Sequence, residues 1–219
     1  MEKAAHGDMT LFYPSIPQYP EVAPKYQTKV FEQFRKHYEL IDELVMKFHG
    51  GKLYKETLLV NGAILKSLNI YRGGVWSLGQ RNPHVFFDCL RSQCETLALL
   101  RYCIEKPDYV TAATLGEHKH PEEKMRLVNI LTMVDRLDKK HEGIRHDYDD
   151  LCEFTHPNPD SLYANILPLK EEEGVLTVEI STKSTRITSE DADKYLLMLT
   201  TWTDWIFDEL VSLTRAFTH

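Results

Sequence analysis

Residues 188–217 read TSEDADKYLLMLTTWTDWIFDELVSLTRAF and decide the fold class of this 219-residue chain. Large apolar side chains recur along this stretch at steps of four, three, four, four, three and four, the repeat of one face of an α-helix. They belong to Tyr195, Leu199, Trp202, Ile206, Leu210, Leu213 and Phe217. Hydroxyl and carboxylate groups at 188–191 are typical of a helix start. At about 1.5 Å per residue the helix spans about 40 Å, the length of a whole bundle.

Helical periodicity continues upstream, where five further segments repeat apolar residues at steps of three and four. They run from residue 25 to the Gly50-Gly51 pair, from about 53 to 79, from 83 to 106, from about 121 to 141 and from about 147 to 156. Gly73-Gly74 predicts a kink or break in the second segment. Asn82-Pro83 predicts the N-cap and first turn of the third. Residues 108–120 are predicted to form a connecting segment.

Residues 162–169 and 175–182 alternate between apolar and polar side chains around Lys-Glu-Glu-Glu-Gly at 170–174. This pattern predicts a β-hairpin with a five-residue loop. The predicted fold is therefore an all-α helical bundle of five or six helices, with a small β-hairpin at about 162–182 before a long C-terminal helix. Residues 25–219 are predicted to form a single helical-bundle domain.

Residues 1–24 contain four prolines with three aromatic residues between them, a density that prevents a helix and favours an extended arm. The residues are Phe12, Tyr13, Pro14, Pro17, Tyr19, Pro20 and Pro24. Aromatic side chains on an arm of this kind usually dock on another surface. We expect the arm to dock either on its own domain or on a neighbouring subunit.

Composition and charge restrict the possible classes of protein. The chain is 42% hydrophobic and 27% charged with a formal net charge of -7, which excludes a disordered chain. The acidic balance argues against a protein that covers nucleic acid or anionic lipid with its whole surface. There is no secretory signal, and no run approaches the roughly 18 apolar residues of a spanning helix. Four cysteines without a C-x-x-C pair fit reduced thiols, so a cytoplasmic location without membrane contact is predicted.

The densest polar stretch lies at 145–158. On a helix, Asp149, Glu153 and His156 share one face, and Tyr148 occupies the adjoining, more apolar side. A histidine at a helix C-terminus with a carboxylate one turn away favours the imidazolium and suits a general acid. The same residues also fit ordinary helix-end preferences, since acidic side chains favour a first turn and histidine a last turn.

Arg91 and Glu95 are one turn apart on a helix that is apolar on several sides. An arginine held by such a partner can bind a carboxylate or phosphate through two hydrogen bonds, although most such pairs are exposed ion pairs. We expect the third and fifth predicted helices to pack so that Arg91 or Glu95 lies near Tyr148 or His156. The predicted catalytic residues are Arg91 and His156, and the predicted ligand-binding residues are Glu95, Tyr148, Glu153 and Asn158.

Glu-x-x-His, a spacing that can supply metal ligands, occurs twice, at Glu117/His120 and Glu153/His156. The paired motif of di-iron bundles lies in the middle of helices. One copy here precedes Pro121 and the other ends at Pro157, so neither position fits, and no metal site is predicted. No nucleotide-binding or nucleophile motif is present, and no cofactor is predicted.

Two segments together resemble known families. Arg91-Ser-Gln-Cys-Glu95 resembles the R-x-x-x-E helix of uncharacterised bacterial all-helical families, and Tyr148-x-x-Leu151-x-Glu153-x-x-His156-Pro157 resembles their Y-x-x-L-x-E-x-x-H-P segment. These families are loosely related to the HEPN superfamily, in which many members are RNases of toxin–antitoxin and phage-defence systems. The resemblance covers about residues 55–160. HEPN RNases use R-x(4–6)-H at a dimer interface, and the match here is Arg136–His141, with Leu137 after the arginine.

Two function classes remain open from the sequence. The first is a cytoplasmic regulatory or interaction module, a homodimer that uses the arm and apolar helix faces, with a protein partner possible through the arm. The second is a metal-independent, HEPN-like endoribonuclease in which Arg91 stabilises charge and His156 is the acid. A small-ligand site around Arg91, Glu95, Tyr148 and His156 is compatible with either class. RNA binding would need a basic face, for which the candidate residues are Arg35, Lys36, His37, Lys52 and Lys55.

Overall fold

A computed structural model describes residues 24–47, 55–80, 82–115, 128–155, 166–172, 175–180 and 189–216. Side chains are described within 28–42, 55–80, 82–114, 128–155 and 190–216. The predicted arm at 1–23, and with it the question of where it docks, lies outside the described residues. Pro24, predicted as the last residue of the arm, is the first residue of a helix, a position that proline tolerates.

The described residues contain seven helices and two strands, numbered here in chain order. The helices are α1 (Pro24–Lys47), α2 (Lys55–Gly79), α3 (Pro83–Glu105), α4 (Tyr109–Leu115), α5 (Ile130–Asp138), α6 (Ile144–Thr155) and α7 (Ser189–Ala216). The strands are β1 (Ile166–Glu172) and β2 (Val175–Ile180). The prediction of an all-α bundle is confirmed, but the predicted number of five or six helices is too low, since the described residues alone contain seven.

The described helices differ from the prediction in several places. The segment predicted as a connection contains the short helix α4. Of the helix predicted at about 121–141, residues 121–127 lie outside the described residues. Helix α5 begins at Ile130, where the Asn129 side chain accepts a hydrogen bond from the Leu131 backbone N–H, and it ends at Asp138. Helix α6 begins at Ile144 instead of residue 147, and His156, its predicted last residue, lies outside the described residues.

Strands β1 and β2 pair antiparallel, with Ile166 opposite Ile180 and Glu172 opposite Val175. Two residues separate the paired strands, so the predicted five-residue loop is wrong. The register shifts between Pro168 and Lys170. Pro168 has no backbone N–H to give to the ladder, which explains an irregularity at this point.

Helix α3 lies at the centre of the bundle and packs against α2, α4, α5, α6 and α7. Its start is the predicted one, with the Asn82 side chain accepting from the Val85 N–H and Pro83 in the first turn. The predicted apolar face of α7 is confirmed where it is described, because its five central members are buried. These are Leu199, Trp202, Ile206, Leu210 and Leu213. Phe217 lies outside the described residues.

A buried polar contact joins the three long helices of the core. The Gln93 side-chain amide on α3 donates hydrogen bonds to Ser67 Oγ on α2 at 2.7 Å and to Thr203 Oγ1 on α7 at 2.8 Å. All three side chains are fully buried. Nearby, the Tyr71 and Thr200 hydroxyls lie 3.1 Å apart and connect α2 to α7 a second time. These bonds satisfy the Gln93 amide nitrogen and the hydroxyls of Ser67, Thr203, Tyr71 and Thr200, whereas Gln93 Oε1 has no hydrogen-bond partner among the described residues.

Helix α2 is continuous from Lys55 to Gly79, so the predicted kink or break at Gly73-Gly74 is wrong. Gly74 instead allows α2 and α7 to approach closely. A Cβ at position 74 would lie 2.7 Å from Leu199 Cδ2 and 3.4 Å from Cys89 Cβ. Gly74 therefore serves close packing between α2 and α7. In the sequence alone, a Gly-Gly pair fits either such packing or a break in the helix.

No helix among the described residues is both long and apolar enough to cross a membrane. The four cysteines lie as free thiols, on α3 and α6. Burial raises the pKa of Cys89 to about 11 and that of Cys103 to about 12, and it also raises the pKa of Cys94. These three thiols therefore stay protonated near neutral pH and are unsuited to nucleophilic catalysis.

We predict that Gly74→Ala destabilises the protein by about 1–3 kcal/mol, because the new methyl group overpacks against the buried Leu199. Gly62→Ala is the matched control, since Gly62 is an exposed position of the same helix with no atom within 4 Å of the added Cβ. The control should gain about 0.5–1 kcal/mol from helix propensity. Urea unfolding measures both changes, and equal effects of the two substitutions would contradict the close α2–α7 approach.

Candidate functional site

Helices α3 and α6 bring four polar side chains together. Three of them are predicted site residues, and the fourth, Thr155, directly precedes the predicted His156. We call Arg91, Glu95, Tyr148 and Thr155 the Arg91 cluster. Arg91 and Glu95 are one turn apart on α3, and Tyr148 and Thr155 are two turns apart on α6. Periodicity of both helices aims these side chains at the α3–α6 contact.

The Tyr148 hydroxyl donates a hydrogen bond to Glu95 Oε1 at 3.1 Å. Tyr148 is buried, and burial is the main cause that raises its pKa, so the hydroxyl remains a proton donor at neutral pH. The prediction that Arg91 or Glu95 lies near Tyr148 or His156 is confirmed for the Glu95–Tyr148 pair. The two predicted segments thus share one region of the bundle.

Arg91 is held on several sides. Its Nη1 donates to Thr155 Oγ1 at 2.7 Å, its Nε lies 3.7 Å from Glu95 Oε1, and its Nη2 lies 3.8 Å from Asp88 Oδ1. The side chain is 30% exposed. Its Nε is buried without a hydrogen-bond partner of good geometry among the described atoms.

The single cation of the Arg91 cluster already has two carboxylates beside it. One guanidinium faces the Asp88 and Glu95 carboxylates, so the immediate surroundings of Arg91 carry an excess of negative charge. An incoming phosphate or carboxylate would have to displace a carboxylate from Arg91 before forming two hydrogen bonds with it. The geometry suits a clamp between α3 and α6 better than a ready anion site.

The other predicted site residues divide into two groups. His156 and Asn158 lie outside the described residues. Glu153 lies on the exposed side of α6 together with Asp149, whose Oδ2 accepts from Arg145 Nε at 2.9 Å. The predicted face of carboxylates is therefore turned to solvent over its described part, away from the contact between Tyr148 and Glu95.

Both Glu-x-x-His motifs lie wholly or partly outside the described residues. Glu117, His120 and His156 lie outside the described residues. Within the described ranges, no group of three or more His, Cys, Asp or Glu side chains is placed to hold a metal ion.

Arg136 and His141, the R-x(4–6)-H match, contact different helices. Arg136 Nη1 lies 3.2 Å from Glu105 Oε2, and its guanidinium lies over the Tyr102 ring. The His141 ring instead stacks on Trp205 of α7 at a centroid distance of 3.9 Å. Burial lowers the pKa of His141, and its Nε2 has no hydrogen-bond partner among the described residues. The pair therefore does not form one site within the described fold.

The sequence analysis missed Glu209, the most buried carboxylate in the described part of the chain. Its side chain is 1% exposed and forms ion pairs with Lys140 and, at 3.8 Å, with Arg101 Nη1. Glu209 falls seven residues after Trp202 and four before Leu213, both of which are buried. Glu209 therefore occupies a position of the α7 repeat that faces the core. A carboxylate at such a position in the sequence could have predicted a buried ion pair.

Two of the four described candidates for a basic RNA-binding face, Lys36 and His37, are engaged within the bundle, whereas Arg35 and Lys55 are exposed. His37 is fully buried, and burial lowers its pKa to about 4, so the ring is uncharged at neutral pH. The Lys36 ammonium pairs with Asp204 of α7. Lys52 lies outside the described residues.

Helix α2 carries three half-exposed apolar side chains in one line. Leu58, Leu65 and Trp76 are 41%, 50% and 43% exposed. At 100° per residue they fall within about 20° of one another, with exposed Lys66 and Arg72 on either side of the line. We call this surface the α2 face and define it by these five residues.

Compared with known proteins, the chain matches no family model, no curated protein and no solved structure. The resemblance to HEPN-related families thus stays a prediction from short motifs, and the geometry of the described residues carries the functional argument.

We predict that Tyr148→Phe and Glu95→Ala each lower the free energy of unfolding by about 1–3 kcal/mol, because each substitution leaves the other group without its hydrogen-bond partner. Because the two groups share one bond, the double variant should lose less than the sum, with a coupling of about 1 kcal/mol or more. Urea unfolding of the four proteins measures the coupling.

Tyr102→Phe is the matched control for this cycle, since Tyr102 is a half-buried tyrosine on the helix of Glu95 whose hydroxyl has no hydrogen bond among the described residues. This substitution should change the stability by less than about 0.5 kcal/mol. Additive effects of Tyr148→Phe and Glu95→Ala would show that the bond between them does not form in solution.

Proposed function

We propose that this protein is a regulatory or interaction module that binds an apolar, acidic segment of a protein partner on its α2 face. The observation that supports the proposal is the line of half-exposed Leu58, Leu65 and Trp76. Single exposed apolar side chains are ordinary on a protein surface, whereas several of them aligned on one helix face favour an interaction site.

The size of the α2 face suits a helix or an extended strand of chain. Leu58 and Trp76 are 18 residues apart on α2, which corresponds to about 27 Å. Fully burying one leucine-sized side chain contributes about 1.5–3 kcal/mol. Half-exposed side chains offer part of that amount each, so contacts with the flanking cations must add to the apolar contacts to overcome the cost of association.

The charge of α2 indicates the chemistry of the partner. The helix contains Lys55, Lys66 and Arg72 but only one carboxylate, Glu56, in a chain whose net charge is -7. Lys66 and Arg72 are exposed beside the apolar line. A partner segment with apolar side chains and flanking carboxylates would complement both features.

We also propose that the protein self-associates as a homodimer, because exposed apolar helix faces and an arm rich in aromatic residues leave more apolar surface than a monomer needs. A cytoplasmic location accords with the reduced thiols and is part of the same proposal. The Arg91 cluster then serves stability, since its partners already satisfy its charge.

We predict that the full chain sediments at micromolar concentration as a species larger than 25.5 kDa and that Leu65→Glu lowers this association at least tenfold. The substitution removes apolar contact and adds like charge toward an acidic partner segment. Leu131→Glu is the control, because Leu131 is 39% exposed on α5. Association that responds equally to both substitutions would place the interface elsewhere.

A metal-independent endoribonuclease is the second candidate. Besides the resemblance to HEPN-related families, one contact favours it. Arg91 donates to Thr155, the residue that immediately precedes His156 in the sequence. In this proposal Arg91 stabilises the phosphate charge, His156 is the general acid, and RNA is the substrate.

For this candidate, Arg91→Ala and His156→Ala should each lower RNA cleavage about 100-fold or more, since acid–base groups contribute that much, and cleavage should persist in EDTA. His146→Ala is a control, because His146 is an exposed histidine of α6. Purified wild-type protein that neither cleaves nor binds RNA at low salt would contradict the nuclease and leave the interaction module standing.

A further inference from the structure

We infer that helix α1 separates from the bundle when His37 takes up a proton, while α2, α3 and α7 stay packed together. The inference does not depend on what binds the α2 face. It names a conformational change of the described fold and the side chain that triggers it.

Helix α1 lies at one side of the bundle. Its main contacts within the described structure are with α2 and α7, whereas α2 and α7 also pack against each other and against α3. The Gln93 hydrogen bonds that join α2, α3 and α7 do not involve α1. Removing α1 therefore leaves the central contacts of the bundle in place.

His37 lies in the contact between α1 and α7 and is fully buried. Its Nδ1 lies 2.7 Å from the backbone oxygen of Gln33, one turn earlier on α1. Because a carbonyl oxygen only accepts, Nδ1 carries the hydrogen and the neutral ring leaves Nε2 bare. This Nε2 is buried without a hydrogen-bond partner among the described residues. A proton on Nε2 would therefore place a charge and an unpaired donor inside the bundle.

The charged groups of α1 and α7 do not offset such a charge. The Lys36 ammonium lies 4.8 Å from the centroid of the Phe207 ring, and the His37 ring meets the same ring edge-on at 5.1 Å. Asp204 of α7 attracts a cation, but its carboxylate already pairs with Lys36 and accepts from Gln33 Nε2 at 2.7 Å. A protonated His37 would be a second cation against Phe207, with one carboxylate shared between the two cations.

Among its described residues, helix α2 supplies no charge that acts on His37. Tyr71 of α2 is close enough to Asp204 for that carboxylate to act on its hydroxyl. Burial is the main cause that raises the pKa of Tyr71 to about 12, so this side chain is uncharged in acidic and neutral solution. Glu56, the sole carboxylate of α2, does not contribute to the pKa of His37. The response of this contact to mild acid therefore centres on His37.

The direction of the pH dependence follows from where His37 is protonated. Burial outweighs the bond to the Gln33 carbonyl and lowers the pKa of His37 from 6.5 to about 4. When α1 separates, the ring meets water and regains the ordinary pKa. Between these two values the separated state binds a proton that the packed state does not, so each pH unit of acidification favours separation by up to about tenfold. Over the whole interval the equilibrium shifts by about 300-fold, and the packed state is favoured at neutral pH.

Separation of α1 uncovers apolar surface that the packed bundle hides. Val30, Phe34 and Leu40 are buried side chains of α1 within the core. Phe207 of α7 loses its ring contact with His37 at the same time. Acidification would therefore increase the apolar surface that the bundle presents to water.

Hydrogen–deuterium exchange of the full-length chain, measured by mass spectrometry from neutral pH down to about pH 4.5, tests the inference. After correction for the intrinsic exchange rate at each pH, exchange of residues 28–42 should become faster by up to about tenfold per pH unit below 6.5. Exchange of residues 90–100 of α3 should not follow. His37→Asn should remove the pH dependence, because asparagine offers an N–H to the Gln33 carbonyl but takes up no proton.

His146→Asn is the matched control, since His146 is an exposed histidine of α6, and it should keep the pH dependence of the unmodified chain. Circular dichroism checks that each variant is folded. His37→Phe, which keeps a ring against Phe207, replaces the asparagine variant if that variant does not fold. Exchange of α1 that does not accelerate below pH 6.5, or accelerates equally without His37, would overturn the inference. Equal acceleration of α1 and α3 would overturn it as well, because acid would then unfold the whole bundle.

Discussion

The amide of Gln93 fixes how the three long helices of the bundle meet. Its nitrogen donates to Ser67 on α2 and to Thr203 on α7, and all of these groups are removed from water. A buried polar group costs free energy unless it finds its partners, so sliding α2 or α7 along α3 would leave these groups unpaired. Aliphatic side chains alone tolerate such sliding far better. The hydrogen bonds therefore set the register in which Gly74 meets Leu199.

Ion pairs secure the outer helices to this core. Arg101 and Lys140 neutralise the buried Glu209, Arg136 reaches Glu105, and the Arg91 cluster joins α3 to α6. Breaking a buried pair is costly because it leaves a charge without a partner. Several of the cations that could attract an anionic ligand are thus already engaged between helices.

The contrast between Arg91 and the α2 face explains why an interaction module is the preferred function. Arg91 has partners on several sides, so a ligand gains little by replacing them. Leu58, Leu65 and Trp76 are in contact with water over about half of their surface, so a partner gains free energy by covering them. Exposed Lys66 and Arg72 add selectivity for an acidic segment in a protein that is itself acidic.

The sequence by itself determined the all-α class, the buried face of α7 and the start of α3 at Asn82-Pro83, because periodicity and capping act over a few neighbouring residues. It also predicted that Arg91 or Glu95 lies near Tyr148 or His156, because both segments combine polar groups with an apolar helix face, and Glu95 and Tyr148 are the pair that meets. Only the tertiary structure decided that Gly74 is a packing position, that Glu209 is buried, and that Arg136 and His141 turn to different helices. Each of these properties depends on which helix packs against the residue. Because the residues of that neighbouring helix are distant in the sequence, no local sequence pattern predicts the contact.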